Sequence, residues 1–293
     1  MKLNIADIQK KADAIGVPFH NLLSGVVLEH IIIRLFESGF SRSVCIRNIE
    51  KFKPENYLND APLSIELQYF LREKVSHGIV VGKPISQEVL IVLAYELFPK
   101  KESEFLKWKI RFLEKGIYAI ANLENYEIPL EIKLFESKEE DFLPVEDVFE
   151  PTMETGKRIA VKLYPVEKRL ADDYAEIFEK LELLGELSPY TDIVDIISNN
   201  YISGRKFSEY LTENCEKKNV SLKYDKLATI NSYVNNKYML KKWKSLTRVK
   251  KIRGQSWEDT LKKVCEYIDP VWSTICKEEV FFDDWMPELG KFM

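Results

Sequence analysis

The chain has 293 residues, 45% of them apolar and 31% charged, with a net charge of −4. That length suits one large domain or two of ordinary size, and the composition is that of a soluble globular protein with a sizeable core. The longest apolar run near the start, Gly25-Val26-Val27-Leu28, breaks at Glu29 and His30, so no membrane span is expected.

The opening MKLNIADIQKK lacks an apolar h-region, and no signal peptide is expected. Cys45, Cys215, Cys265 and Cys276 have no C-x-x-C spacing and read as reduced thiols of a cytoplasmic protein, most of them in the core. His20, His30 and His77 are too scattered for a histidine zinc site.

In chain order, residues 4–16 predict a helix capped by Asn4, with Ile5, Ile8, Ala12 and Ile15 as its stripe and Gly16 as its stop. Residues 19–38 predict a second, more apolar helix. The period then changes. Residues 43–46 and the alternating 63–67 read as strands, 87–97 as a helix, and 105–112, 117–123 and 128–135 as three more strands. Asn125-Tyr126 sits like a hairpin turn between the last two. Residues 136–150 read as an acidic loop and 158–163 as a final strand.

From Pro165 onward the pattern is helical: residues 165–185, 189–199, 206–217, 238–247 and 257–274. Pro165 and Pro189 suit first helical turns. The expected class is α+β, with an α+β domain over 1–163 and an all-helical half over 164–293. No internal repeat or low-complexity tract is present. Charge is unevenly spread. Residues 204–254 hold fourteen Lys and Arg against four acids (Glu209, Glu213, Glu216, Asp225), which points to an anionic partner for that region.

Several segments in fixed order resemble one family. They are Gly16-Val17-Pro18-Phe19 with LEHIIIRLFESGFSRSVCI, Glu127-Ile128-Pro129-Leu130-Glu131-Ile132, PTMETGKRIAVKLYPVE, GELSPYTDIVDI, Trp243, and Asp269-Pro270-Val271-Trp272. Together they resemble the AbiEii/AbiGii nucleotidyltransferase-fold toxins of bacterial abortive-infection systems. The resemblance implies a nucleotidyltransferase-like mixed sheet, transfer of a nucleotide from an NTP with Mg²⁺ to an RNA acceptor such as tRNA, and a separately encoded antitoxin.

The resemblance places the phosphate-binding turn at Arg47-Asn48-Ile49, where the family has Lys-Gly-Gly. Asn48 tolerates a left-handed conformation and β-branched Ile49 does not. The family's Asp-x-Asp falls on Ser64-Ile65-Glu66, and its third carboxylate on Glu131. Arg47, Asn48 and Ser64 are thus the nucleotide-binding candidates, and Glu66 and Glu131 the metal candidates, because Mg²⁺ prefers hard oxygen ligands. The family's phosphate-binding lysine becomes Asp173 in Ala171-Asp172-Asp173, and this acidic pair reads as an exposed helix face. Asp192 and Asp195 keep the family's aspartate pair as catalytic candidates. Their spacing puts them on one helix face, close to its N-terminus, where acids are also favoured by the dipole.

One signal stands apart from the family. Residues 238–254 carry Lys241, Lys242, Lys244, Arg248, Lys250, Lys251 and Arg253 without an acid, with Trp243 interleaved. Cations track a phosphate backbone and an exposed Trp243 would stack on a base; the alternative is a solvated basic face with Trp243 in the core. Two functions remain at this point. One is an AbiEii-like transferase toxin. The other is an inactive nucleotidyltransferase-fold protein that binds RNA or a protein partner and needs no cofactor.

Overall fold

The computed structural model describes residues 4–58, 61–71, 84–98, 106–138, 141–154, 156–249 and 254–293. The chain divides into two compact units, Met1–Pro165 and Val166–Met293. The first is a mixed α/β layer built on a seven-stranded sheet, in the spatial order β3 (Leu106–Leu113), β4 (Gly116–Leu123), β5 (Tyr126–Lys138), β2 (Ser64–Leu71), β1 (Val44–Ile46), β7 (Ile159–Leu163), β6 (Val145–Phe149).

Helix α1 (Ile5–Ile15) starts as its sequence dictates. The Asn4 side chain accepts from the Ala6 N–H at 3.0 Å, and Gly16 closes the helix at φ 70°. Helix α2 (Phe19–Glu37) is buried along most of its length, from Leu22 to Leu35. By length and composition it could cross a membrane, which corrects the reading that no stretch qualifies; its place, however, is in the core of this unit. Glu29 does not interrupt it. That carboxylate is buried and accepts from the Tyr57 hydroxyl at 3.0 Å, the Thr152 N–H at 2.8 Å and the Thr152 hydroxyl at 2.6 Å. Gly25 is needed here, since a Cβ would lie 2.4 Å from the Tyr57 ring.

Strands β1 (Val44–Ile46) and β2 (Ser64–Leu71) pair antiparallel, and β2 runs parallel to β5 (Tyr126–Lys138). Helix α3 (Gln87–Leu97) begins at Ser86, whose hydroxyl accepts from the Val89 N–H at 3.4 Å. Strands β3 (Leu106–Leu113) and β4 (Gly116–Leu123) extend the sheet antiparallel beyond β5. The β4–β5 turn is one residue earlier than expected: Leu123 pairs with Tyr126, and Glu124 takes φ 51°.

The expected acidic loop is also corrected. It contains a strand, β6 (Val145–Phe149), paired with β7 (Ile159–Leu163). As an edge strand it buries only Phe149, so its sequence shows little apolar alternation. Along β2, Ile65, Leu67 and Tyr69 join the helices in the core, while Ser64, Glu66 and Gln68 face the other side.

The second unit is mostly helical: α4 (Val166–Lys180), α5 (Ser188–Asn199), α6 (Gly204–Lys217), α7 (Asp225–Asn231), α8 (Lys237–Val249) and α9 (Trp257–Ile275). Its core is aromatic. Phe178 and Trp272 lie 4.2 Å apart by ring centroid, and the Trp257 and Trp272 indoles donate to the Tyr233 and Lys223 carbonyls. It is not all-helical, as was expected. A small hairpin, β8 (Trp285–Met286) and β9 (Lys291–Phe292), closes it. Trp285 donates its backbone N–H to the Ile202 carbonyl and its indole N–H to that of Ile197. Strands of two residues carry no periodic signal, so this hairpin depends on tertiary contact.

Candidate functional site

The first candidate region is the polar side of the sheet at β1, β2 and β5. Asn48 follows β1, and its side chain is fully buried. Its Oδ1 accepts from the Glu66 N–H at 3.0 Å, and its Nδ2 donates to the Ser64 carbonyl at 3.1 Å. Its φ is −125°, so the left-handed turn does not form, and Ile49 begins a short 3-10 turn that buries Phe52. Asn48 therefore spends its amide on strand β2. This corrects its assignment to a phosphate cradle.

Arg47 is held by aromatic and amide groups. Its guanidinium lies 4.6 Å from the Phe135 centroid and 4.3 Å from that of Tyr164, and it donates to Gln68 Oε1. Gln68 is itself buried and donates to the Phe135 carbonyl at 3.1 Å. The neighbouring Cys45 thiol is pushed up to about 12 by burial, with Arg47 and Lys162 opposing, so it is no thiolate nucleophile at neutral pH.

The register brings Glu66 and Glu131 to one side of the sheet, but not opposite each other. Ser64 pairs with Glu131, and Glu66 pairs with Lys133. Lys133 Nζ is 3.9 Å from Glu66 Oε1. Metal-bridging carboxylates need oxygens turned to a common cation. Here one of three expected carboxylates is a serine hydroxyl, and a second already faces an ammonium. Among the described residues, no three His, Cys, Asp or Glu side chains gather as a metal group. The donor set does not fit a magnesium–triphosphate site of the expected kind. Lys133 was missed in the sequence because only strand register pairs it with Glu66.

The remaining candidates lie in the second unit. Asp192 and Asp195 share one side of α5, the former half-buried and the latter exposed. Neither is in the first turn, so the expected N-terminal dipole explanation does not hold for them. The Asp172-Asp173 pair is also not a simple exposed face, since both residues are half-buried. Asp172 accepts from Asn214 Nδ2 at 3.0 Å and lies 3.9 Å from Lys168 Nζ. Lys168 is buried, donates to Asn214 Oδ1, and stands 5.3 Å from the Tyr210 ring centroid. This buried lysine, with buried Arg169 beside it, was missed; its one sequence signal is the i,i+4 pairing with Asp172.

On α8 the structure decides between the two readings of Trp243. Met239, Trp243 and Leu246 form its buried side, and Trp243 packs against Trp257 at 5.6 Å. Trp243 is a core residue, which overturns its role as a base-stacking platform. Lys242 is also engaged: its ammonium donates to the Glu182 carbonyl at 3.2 Å and to that of Leu184, and lies 4.2 Å from the Tyr238 ring centroid. Lys241, Lys244 and Arg248 are exposed. Lys250, Lys251 and Arg253 lie outside the described residues, as does His77.

A scan against protein-family models and a search of curated proteins return no match to this chain.

Proposed function

We propose that this chain is a nucleotidyltransferase-fold protein of the AbiEii/AbiGii kind that has given up metal-dependent nucleotidyl transfer and acts by binding. The family part of this reading is supported by the ordered sequence segments, and by a mixed sheet that gathers Ser64, Glu66 and Glu131 on one side. Under it, the chain works in a bacterial cytoplasm, beside a separately encoded antitoxin and an RNA of the tRNA class. The observation that carries the loss of transfer is the pairing of Glu66 with Lys133, 3.9 Å away, where a metal ligand is required.

The alternative is a working transferase toxin using Mg²⁺ and an NTP. One observation favours it: Glu66 and Glu131 still share a side of the sheet. Two measurements separate the readings. NTP and Mg²⁺ should leave the melting temperature unchanged, because a ligand that does not bind the folded state cannot stabilise it. Labelled NTP with Mg²⁺ and bulk tRNA should give no transfer above background. Rapid transfer that disappears in Glu66→Gln would establish the transferase instead.

A further inference from the structure

The exposed side of α8 has an order that composition did not reveal. Lys237, Lys241, Lys244 and Arg248 are all exposed, at steps of four, three and four residues. That spacing aligns them in one row along the helix. At a rise of about 1.5 Å per residue the row is about 16 Å long, with a cation roughly every 5 Å.

Several exposed cations on other helices of this unit pair with an acid of their own helix. Lys180 pairs with Glu176 at 2.7 Å, Arg205 with Glu209 at 3.0 Å, Lys217 with Glu213 at 3.7 Å, and Lys262 with Glu266 at 3.8 Å. Helix α8 contains no acid at all. Among the described residues, none of its four row cations has a carboxylate within ion-pair distance. Four like charges on one helix repel each other, so the row does not itself stabilise the helix.

We infer that the Lys237–Lys241–Lys244–Arg248 row is a docking surface for the phosphate backbone of a nucleic acid. A regular line of cations suits a regularly repeating anion. The apolar side of α8 is occupied by the core of its own unit, so the helix has no free face to insert into a lipid surface. Base stacking contributes little, because Trp243 is buried, and the exposed Tyr238 is already engaged by Lys242. Binding is therefore electrostatic and independent of base sequence.

The test measures fluorescence anisotropy of the full chain with a labelled RNA hairpin and a DNA duplex of equal length, across a salt series. Neither Mg²⁺ nor NTP is added, so the outcome is independent of whether transfer activity exists. The triple variant Lys241→Ala/Lys244→Ala/Arg248→Ala should reduce the salt slope by about 2 to 3. Its affinity at 0.15 M salt should fall about a hundredfold, taking equal binding near 1 M. Its melting temperature should match that of the parent, which separates lost binding from lost fold. Tyr238→Ala should change affinity less than threefold. An unchanged salt slope in a folded triple variant overturns the inference. So does polyglutamate binding as tightly as RNA, since the surface would then recognise carboxylates. Loss of affinity in Tyr238→Ala equal to that of the triple variant would replace phosphate docking by stacking. RNA and DNA binding alike supports a phosphate surface; a strong preference for RNA with the same slope change also supports it and assigns the source.

Discussion

Replacing Asn48 tests whether this position belongs to the fold or to a nucleotide. Its amide bonds two backbone groups of β2, the Glu66 N–H and the Ser64 carbonyl, from a fully buried position. Asn48→Ala leaves both without a partner. A buried polar group stripped of its bond costs about 1–3 kcal/mol, so the pair should cost about 2–6 kcal/mol. Against a total of about 5–15 kcal/mol for a typical domain, that is a large fraction. Urea unfolding should show a lower midpoint at unchanged slope.

Asn48→Asp gives a sharper version. Its carboxylate can still accept from Glu66, but its second oxygen would face the Ser64 carbonyl, acceptor against acceptor. Burial and this repulsion raise the folded-state pKa of the new acid above the ordinary 3.9 or so. The stability it contributes is then fully present below the unfolded pKa and lost as pH rises through the folded one. Asn48→Asp should therefore approach the parent near pH 4 and fall well below it at pH 7. An Asn48→Ala variant within about 0.5 kcal/mol of the parent would refute the reasoning, because that is the range of ordinary surface changes.

Trp243→Ala should destabilise the protein by about 3–5 kcal/mol, as for a large aromatic removed from a core; a stable variant with weakened RNA binding would reverse the assignment. Gly25→Ala should cost about 1–3 kcal/mol by driving a methyl into the Tyr57 ring, and Tyr57→Phe in the same background should not relieve it, since the ring carbons make the contact. His30 is held neutral by burial and by nearby Arg34 and Lys157, with Glu154 opposing, and its pKa is lowered to about 4. A lowered pKa gives stability that is present above the unfolded value near 6.5 and lost as pH falls through about 4. Between pH 7 and pH 5 the parent should lose about 2 kcal/mol that His30→Met does not lose. Burial raises the pKa of neighbouring Glu29, with the opposite sign, but Glu29 is common to both proteins and cancels in the comparison. Equal pH dependence of the two proteins in urea unfolding would count against a buried neutral His30.

Local patterns in the sequence determined much of the architecture. The Asn4 cap and the Gly16 stop bounded α1, alternation placed β2, the strand pattern of 117–123 and 128–135 placed β4 and β5, and the change of period at Pro165 marked where the sheet ends and the helices begin. These are short-range effects, set by residues within a turn or a strand of one another. Edge strand β6 and hairpin β8–β9 escaped, because each owes its existence to a partner distant in sequence: Val161 and its neighbours for one, Ile202 for the other. The candidate site shows the same division. The family resemblance made Glu66 a metal ligand and Asn48 a turn residue, and residue type left Trp243 open as a base platform or a core residue. Strand register put Lys133 against Glu66, the β1–β2 junction took both ends of the Asn48 amide, and the packing of α8 on α9 turned Trp243 inward. What a polar or aromatic side chain does depends on which group stands opposite it. That pairing is a property of the folded chain, not of the residues on either side in the sequence.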